Sequence, residues 1–152
     1  MKEENTKIKI LVVDDEPGMR EMLSFSLGMQ GFDITTAACG EEAVEKAATN
    51  KFDLMITDMK MPGMDGIQTL VAIKKIDPDM ETIVATGFGN IETAVLALKE
   101  GAFDYVFKPI GVDELDIIIQ RALQRRNLQM ENRKLKKEIN QLLAQSGQPP
   151  KY

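Results

Sequence analysis

The sequence predicts an α/β protein: a five-stranded, parallel, doubly wound sheet with an extended C-terminal helix. Three observations carry that prediction. Short apolar runs alternate with helical stretches five times along the 152 residues. The runs at 8–13 (IKILVV) and 53–57 (DLMIT) are nearly continuous instead of alternating, as befits strands covered on both faces. Strands that alternate with helices of about ten residues demand right-handed crossovers between parallel neighbours.

The elements follow in order. Residues 8–13 form the first strand. Pro17 suits the first turn of a helix, Met19, Met22, Leu23, Ser26 and Leu27 recur at helical spacing, and Gly28 and Gly31 end the run. Residues 32–36 read as an edge strand and 41–48 as a short alanine-rich helix. The third strand, 53–57, leads to a helix over 67–76 that Asp77-Pro78 stops. A strand at 81–86 (ETIVAT), a helix at 91–99 and a strand at 104–107 (DYVF) complete the sheet. Residues 112–143 contain neither Pro nor Gly, so one helix of about 32 residues, about 48 Å long, closes the fold. Residues 146–152 (SGQPPKY) are expected to be a disordered linker end.

Composition excludes several functions. Hydrophobic residues make up 43% and charged residues 28% of the chain, the balance of one ordinary globular domain. No apolar run approaches the ~18 residues of a membrane span, and the N-terminus lacks a signal core. A lone cysteine, Cys39, fits a reducing cytoplasm. The chain has no histidine. That removes Ser-His-Asp and Cys-His nucleophiles, His-ligated zinc, and any role as a histidine phosphodonor. The net charge of −5 argues against direct nucleic-acid binding by the chain as a whole.

Ligands of open parallel sheets bind beyond the carboxyl ends of the strands. There the first strand delivers Asp14, Asp15 and Glu16, the third Asp58, the fourth Thr86 and the fifth Lys108. Carboxylates gathered so closely repel and raise each other's pKa, so the cluster calls for a cation, and an all-oxygen ligand set favours Mg²⁺. A carboxylate beside such an ion is placed to attack phosphorus. Lysine neutralises a transferring phosphoryl group and threonine hydrogen-bonds its oxygens. Asp58, Lys108 and Thr86 are therefore the candidate phosphoryl-transfer residues.

These residues sit within ILVVDDEP (10–17), DLMITDMKMPGMDG (53–66), VATG (84–87) and FDYVFKPI (103–110), a set that closely resembles the bacterial response-regulator receiver family over residues 7–125. The resemblance implies a flavodoxin-like sheet of strand order 2-1-3-4-5, with Asp58 as phosphoacceptor and a sensor histidine kinase as donor. It implies Mg²⁺ held by Asp14, Asp15, Asp58 and the Lys60 carbonyl, and a cis peptide at Lys108-Pro109. Thr86 and Tyr105 resemble the family's switch pair. The segment 84–110 looks like receivers of NtrC-type, sigma-54-dependent activators. That implies an output ATPase and DNA-binding domains, which this chain does not contain: no GxxxxGK[ST] loop occurs in it.

On these grounds residues 1–125 are the expected receiver domain and 126–145 a helical linker. In that linker Leu128, Asn132, Leu135, Ile139 and Leu142 follow an a/d pattern, expected to seam a short parallel coiled coil and hence a homodimer. The basic residues between Arg121 and Lys137 read as a solvated face paired with Glu131 and Glu138. An alternative from another class is a haloacid-dehalogenase-like Mg²⁺ phosphohydrolase. Its aspartyl nucleophile, however, ends the first strand in a DxD pattern, whereas Glu16 stands two residues after Asp14 here.

Overall fold

The structure, a computed structural model, describes residues 6–87 and 89–152. Among the described residues ten elements follow in strict alternation: β1 (Lys9–Val13), α1 (Pro17–Met29), β2 (Asp33–Ala37), α2 (Gly40–Thr49), β3 (Leu54–Thr57), α3 (Gly66–Ile76), β4 (Glu81–Thr86), α4 (Ile91–Lys99), β5 (Asp104–Phe107) and α5 (Val112–Gln145). All strand pairs are parallel, and the order across the sheet is β2-β1-β3-β4-β5. The sheet is the expected five-stranded, flavodoxin-like one; element ends move by one or two residues.

The near-continuous strands divide their residues between two cores. Ile10, Val12, Leu54, Ile56, Ile83 and Ala85 face α1 and α5, where Leu23, Leu27, Leu115 and Ile119 meet them. The alternate residues Leu11, Val13 and Met55 face α2 and α3, packing on Ala43, Ala47 and Ile73. Val84 continues that side toward Leu70, Ala97 and Tyr105. Two-faced burial explains why β1, β3 and β4 show no polar alternation.

α5 runs unbroken through position 125, and its last buried residue is Leu123. Its basic residues differ from the expectation. Arg125, Arg126 and Arg133 pair across to Glu81, Asp53 and Asp79 of the globular part, not with glutamates along the helix. The reason is reach: the start of β4 and the loop before it lie beside the helix, and a guanidinium gains more from a partly buried carboxylate than from an exposed one. The end of the chain, 148–152, is neither helix nor strand. Asn140 brackets the backbone of Lys151 and Tyr152, Gln148 N donates to the Leu143 carbonyl, and the Lys136 ammonium lies over the Tyr152 ring. Ser, Gly and Pro exclude helix and strand there, but they do not stop a neighbouring side chain from holding the backbone.

Candidate functional site

Register builds the site. β1 and β3 are neighbours, and the Asp58 amide donates to the Val13 carbonyl at 2.9 Å. The residues just past the two strands are therefore forced side by side. Carboxylate oxygens of Asp14, Asp15 and Asp58 all lie within 4.8 Å of one another, with Asp14 and Asp58 buried and Asp15 exposed. β3 and β4 separate β5 from β1, yet Lys108 reaches back across the sheet end. Its ammonium is 2.7 Å from Asp14 Oδ2 and 3.5 Å from Asp58 Oδ2.

Each carboxylate is oriented by the backbone. Asp58 Oδ1 accepts from the Met59 amide at 2.7 Å, and Asp14 Oδ1 accepts from the Glu16 amide at 3.0 Å. Arg20, one turn into α1, donates to the Asp14 carbonyl at 2.6 Å. Gly66 lets the loop after Asp58 return: its amide donates to the Met59 carbonyl, and an added Cβ would stand 2.5 Å from the Asp58 carbonyl oxygen. The side chain of Asp65 caps the Gln68 amide, so α3 begins where this loop closes. Lys108-Pro109 is cis, as the resemblance implied.

Lys108 is held protonated. Burial pulls its pKa down, but the hydrogen bond and charge of Asp14, then the charge of Asp58, outweigh burial and leave it above the ordinary lysine value. One cation cannot balance three carboxylates at these distances. The donors are all carboxylate oxygens, the chemistry that suits a hard divalent ion such as Mg²⁺. Lys60 lies two residues beyond Asp58 with its side chain exposed, so its carbonyl is the part the Mg²⁺ reading uses.

Thr86 ends β4, fully buried, and its carbonyl accepts from the Lys108 amide at 2.9 Å. Tyr105 is also buried, one strand over. Its hydroxyl is 2.8 Å from Thr93 Oγ1, in the first turn of α4, and its ring sits edge-on to Phe107. Gly89 faces that ring so closely that a Cβ there would overlap the Tyr105 hydroxyl. The fold thus gathers Asp14, Asp15, Asp58 and Lys108 directly, with Thr86 alongside. It leaves Leu128, Asn132, Leu135, Ile139 and Leu142 far along α5, all but Asn132 among the exposed large hydrophobics. The contacts of Arg20 and Thr93 are not legible in the sequence. Arg20 carries no signal beyond its place one turn after Pro17, and Thr93 is legible only as a residue three after the cap Asn90.

A family model described as the response regulator receiver domain matches residues 10–120. The regulatory protein AtoC of Escherichia coli (strain K12) is 41% identical over 132 residues, covering 87% of this chain and 29% of that protein. The chain thus spans under a third of that relative's length. A crystal structure of a response regulator receiver domain protein from Clostridium thermocellum superposes with a TM-score of 0.75 at 41% identity, covering 80% of this chain and 98% of that one. The solution structure of a beryllofluoride-activated NtrC4 receiver domain dimer gives 0.74 at 36%, covering 78% and 98%. No helix among the described residues is long and apolar enough to cross a membrane.

Proposed function

The chain belongs to the response regulator receiver domain family, and from that premise we propose that it takes a phosphoryl group onto Asp58 from a sensor histidine kinase in the cytoplasm. The observation that carries the reading is the convergence of Asp14, Asp15 and Asp58 within 4.8 Å beside the Lys108 ammonium. The family match sets the haloacid-dehalogenase alternative aside.

Asp14, Asp15, Asp58 and the Lys60 carbonyl would hold Mg²⁺. Once bound, that ion supplies positive charge for the oxygens of an incoming phosphoryl group. Asp58 is the nucleophile. One of its oxygens attacks phosphorus while the bond from phosphorus to the donor breaks, and the departing donor keeps the electron pair. Met59 N–H fixes Oδ1, so the carboxylate does not have to reorient. Lys108 already stands between Asp14 and Asp58 and exchanges its contact with Asp14 for one with the new phosphoryl oxygens.

The product carries a charge of about −2 where Asp58 carried −1. Thr86 is the residue drawn to it, and Tyr105 the residue that answers by changing position. Through the bond between Tyr105 and Thr93, that change acts on the first turn of α4. The output is an ATPase and DNA-binding unit of a sigma-54-dependent activator, consistent with relatives more than three times as long as the matched segment. The chain pairs as a parallel homodimer through Leu128, Asn132, Leu135, Ile139 and Leu142. Support comes from their exposure, 63% at Leu128 and 62% at Leu142. Covering four such side chains is worth roughly 1.5–3 kcal/mol each, more than the cost of pairing Asn132. Exposed Ile91, Val95, Leu98 and Phe107 on α4 and β5 offer further apolar area.

Incubation with Mg²⁺ and acetyl phosphate tests the chemistry. Intact-mass measurement should show a single addition of roughly 80 Da, the mass of one phosphoryl group. Asp58→Asn and EDTA should each abolish it. Full labelling of Asp58→Asn would overturn the assignment.

A further inference from the structure

The far end of the sheet, where the strands begin, carries a second set of charged contacts that the phosphoryl chemistry does not use. Arg125 forks onto Glu81, Nε to Oε2 at 2.7 Å and Nη2 to Oε1 at 3.1 Å, and its guanidinium also lies over the Phe103 ring. Glu81 is 1% exposed, so this fork satisfies a carboxylate that has no access to water. Arg126 Nη2 is 3.3 Å from Asp53 Oδ1, while Asp53 Oδ2 accepts from the Lys9 amide at the start of β1. Arg133 Nη1 reaches Asp79 Oδ2 at 2.7 Å, two turns beyond Arg126.

We propose that Arg125, Arg126 and Arg133 form a clasp that binds residues 124–133 of α5 to the sheet, making the linker helix a rigid extension of the globular part and fixing which face it offers to a second copy. α5 makes its last buried apolar contact at Leu123. Beyond it about 22 residues, some 33 Å of helix at ~1.5 Å per residue, would stand alone, and isolated helices of that length are marginal in water. The clasp attaches the first half of that length at three places.

It also sets orientation. At about 100° per residue, Leu115, Ile119, Ala122, Arg126 and Arg133 share the face turned to the sheet. Leu128, Leu135, Ile139 and Leu142 centre about 150° around from it. A helix free to roll could bury those leucines against its own globular part. A clasped helix cannot, and presents them outward to another chain. This orienting role rests on the pairing proposed above; the clasp itself does not.

The test uses the full chain with the seam disabled by Leu135→Glu and Leu142→Glu, so that pairing cannot supply protection. Amide hydrogen exchange is compared with and without Arg126→Ala and Arg133→Ala added. Alanine is the better helix former, so lost helix propensity cannot produce a loss of protection. The clasp predicts exchange at residues 124–133 faster by about tenfold, as expected when two charge-assisted contacts that hold a segment closed are lost. Residues 113–121 should change less than about twofold. Exchanging the charges, Asp79→Arg with Arg133→Asp, should recover part of the loss. Unchanged rates at 124–133, or equal acceleration along the whole chain, would overturn the clasp. Sedimentation of the wild type tests pairing separately: a monomer at high micromolar concentration removes the orienting role and leaves the clasp standing.

Discussion

The two ends of the sheet both gather acidic residues, to opposite effect. Past the carboxyl ends of β1 and β3, Asp14, Asp15 and Asp58 crowd together with Lys108 as their close cation. At the other end stand four acids, Asp53, Asp77, Asp79 and Glu81, and each has a basic partner: Arg126, Lys51, Arg133 and Arg125 respectively. Lys74 adds a second cation 4.0 Å from Glu81. Neither acid count nor burial separates the two ends, since Glu81 is as buried as Asp14. Charge balance does. Where a basic side chain answers each acid the acids are structural; where three carboxylates share the Lys108 ammonium, they suit a hard divalent ion.

Removing one charge at each end should change stability in opposite directions. Arg125→Ala strands the buried Glu81 carboxylate. Its cost should be about 2–4 kcal/mol, near or below the range for breaking a buried pair, because Arg125 is partly open to solvent and Lys74 stays nearby. At the other end, Asp58→Asn relieves repulsion and should raise stability by about 1 kcal/mol in metal-free buffer. Urea unfolding of both variants measures this, and a loss of stability in both would erase the distinction between the ends.

A smaller difference between the ends lies in pH dependence. The Arg133 hydrogen bond holds the Asp79 carboxyl below its ordinary value of 3.8, against burial, which pushes it up. A lowered acid stabilises fully above its unfolded value and loses that contribution as pH falls through the folded one. Lys108 is the mirror image. Its pKa is raised above 10.5, so its contribution is complete below that value and is lost as pH rises through the folded pKa. Arg133→Ala should therefore flatten part of the stability decline below about pH 4 and leave the alkaline side unchanged. Lys108→Met should do the reverse, altering the profile above about pH 10.5. Thermal melts across pH 2.5–11 read both limbs.

Most of the sheet was legible in the sequence because period and breakers agree. β1, β3 and β4 are apolar runs, and Pro17, Pro78 and several glycines stand where helices start or stop. The acid cluster was legible because parallel topology delivers strand ends to one place. What stayed hidden depends on contacts between distant residues. Glu81 reads as an ordinary strand residue, and its partner Arg125 lies 44 positions away. Arg133 looks like one member of a solvated basic face until Asp79 is seen beneath it. Tyr105 was legible as a switch residue only by resemblance. Its partner Thr93 follows from how α4 packs on β5, which no spacing rule encodes.

One end of the sheet is unbalanced in charge and the other balanced, and Mg²⁺ titration of the full wild-type chain, followed through backbone amide shifts, separates them. Saturable shifts should appear at residues 14–16, 57–61 and 108, the signature of an ion seated among Asp14, Asp15 and Asp58. Residues 53, 77, 79 and 81 should not move at the same Mg²⁺ concentrations. Shifts at both ends with equal midpoints, or none at the Asp14–Asp58 end, would contradict that difference.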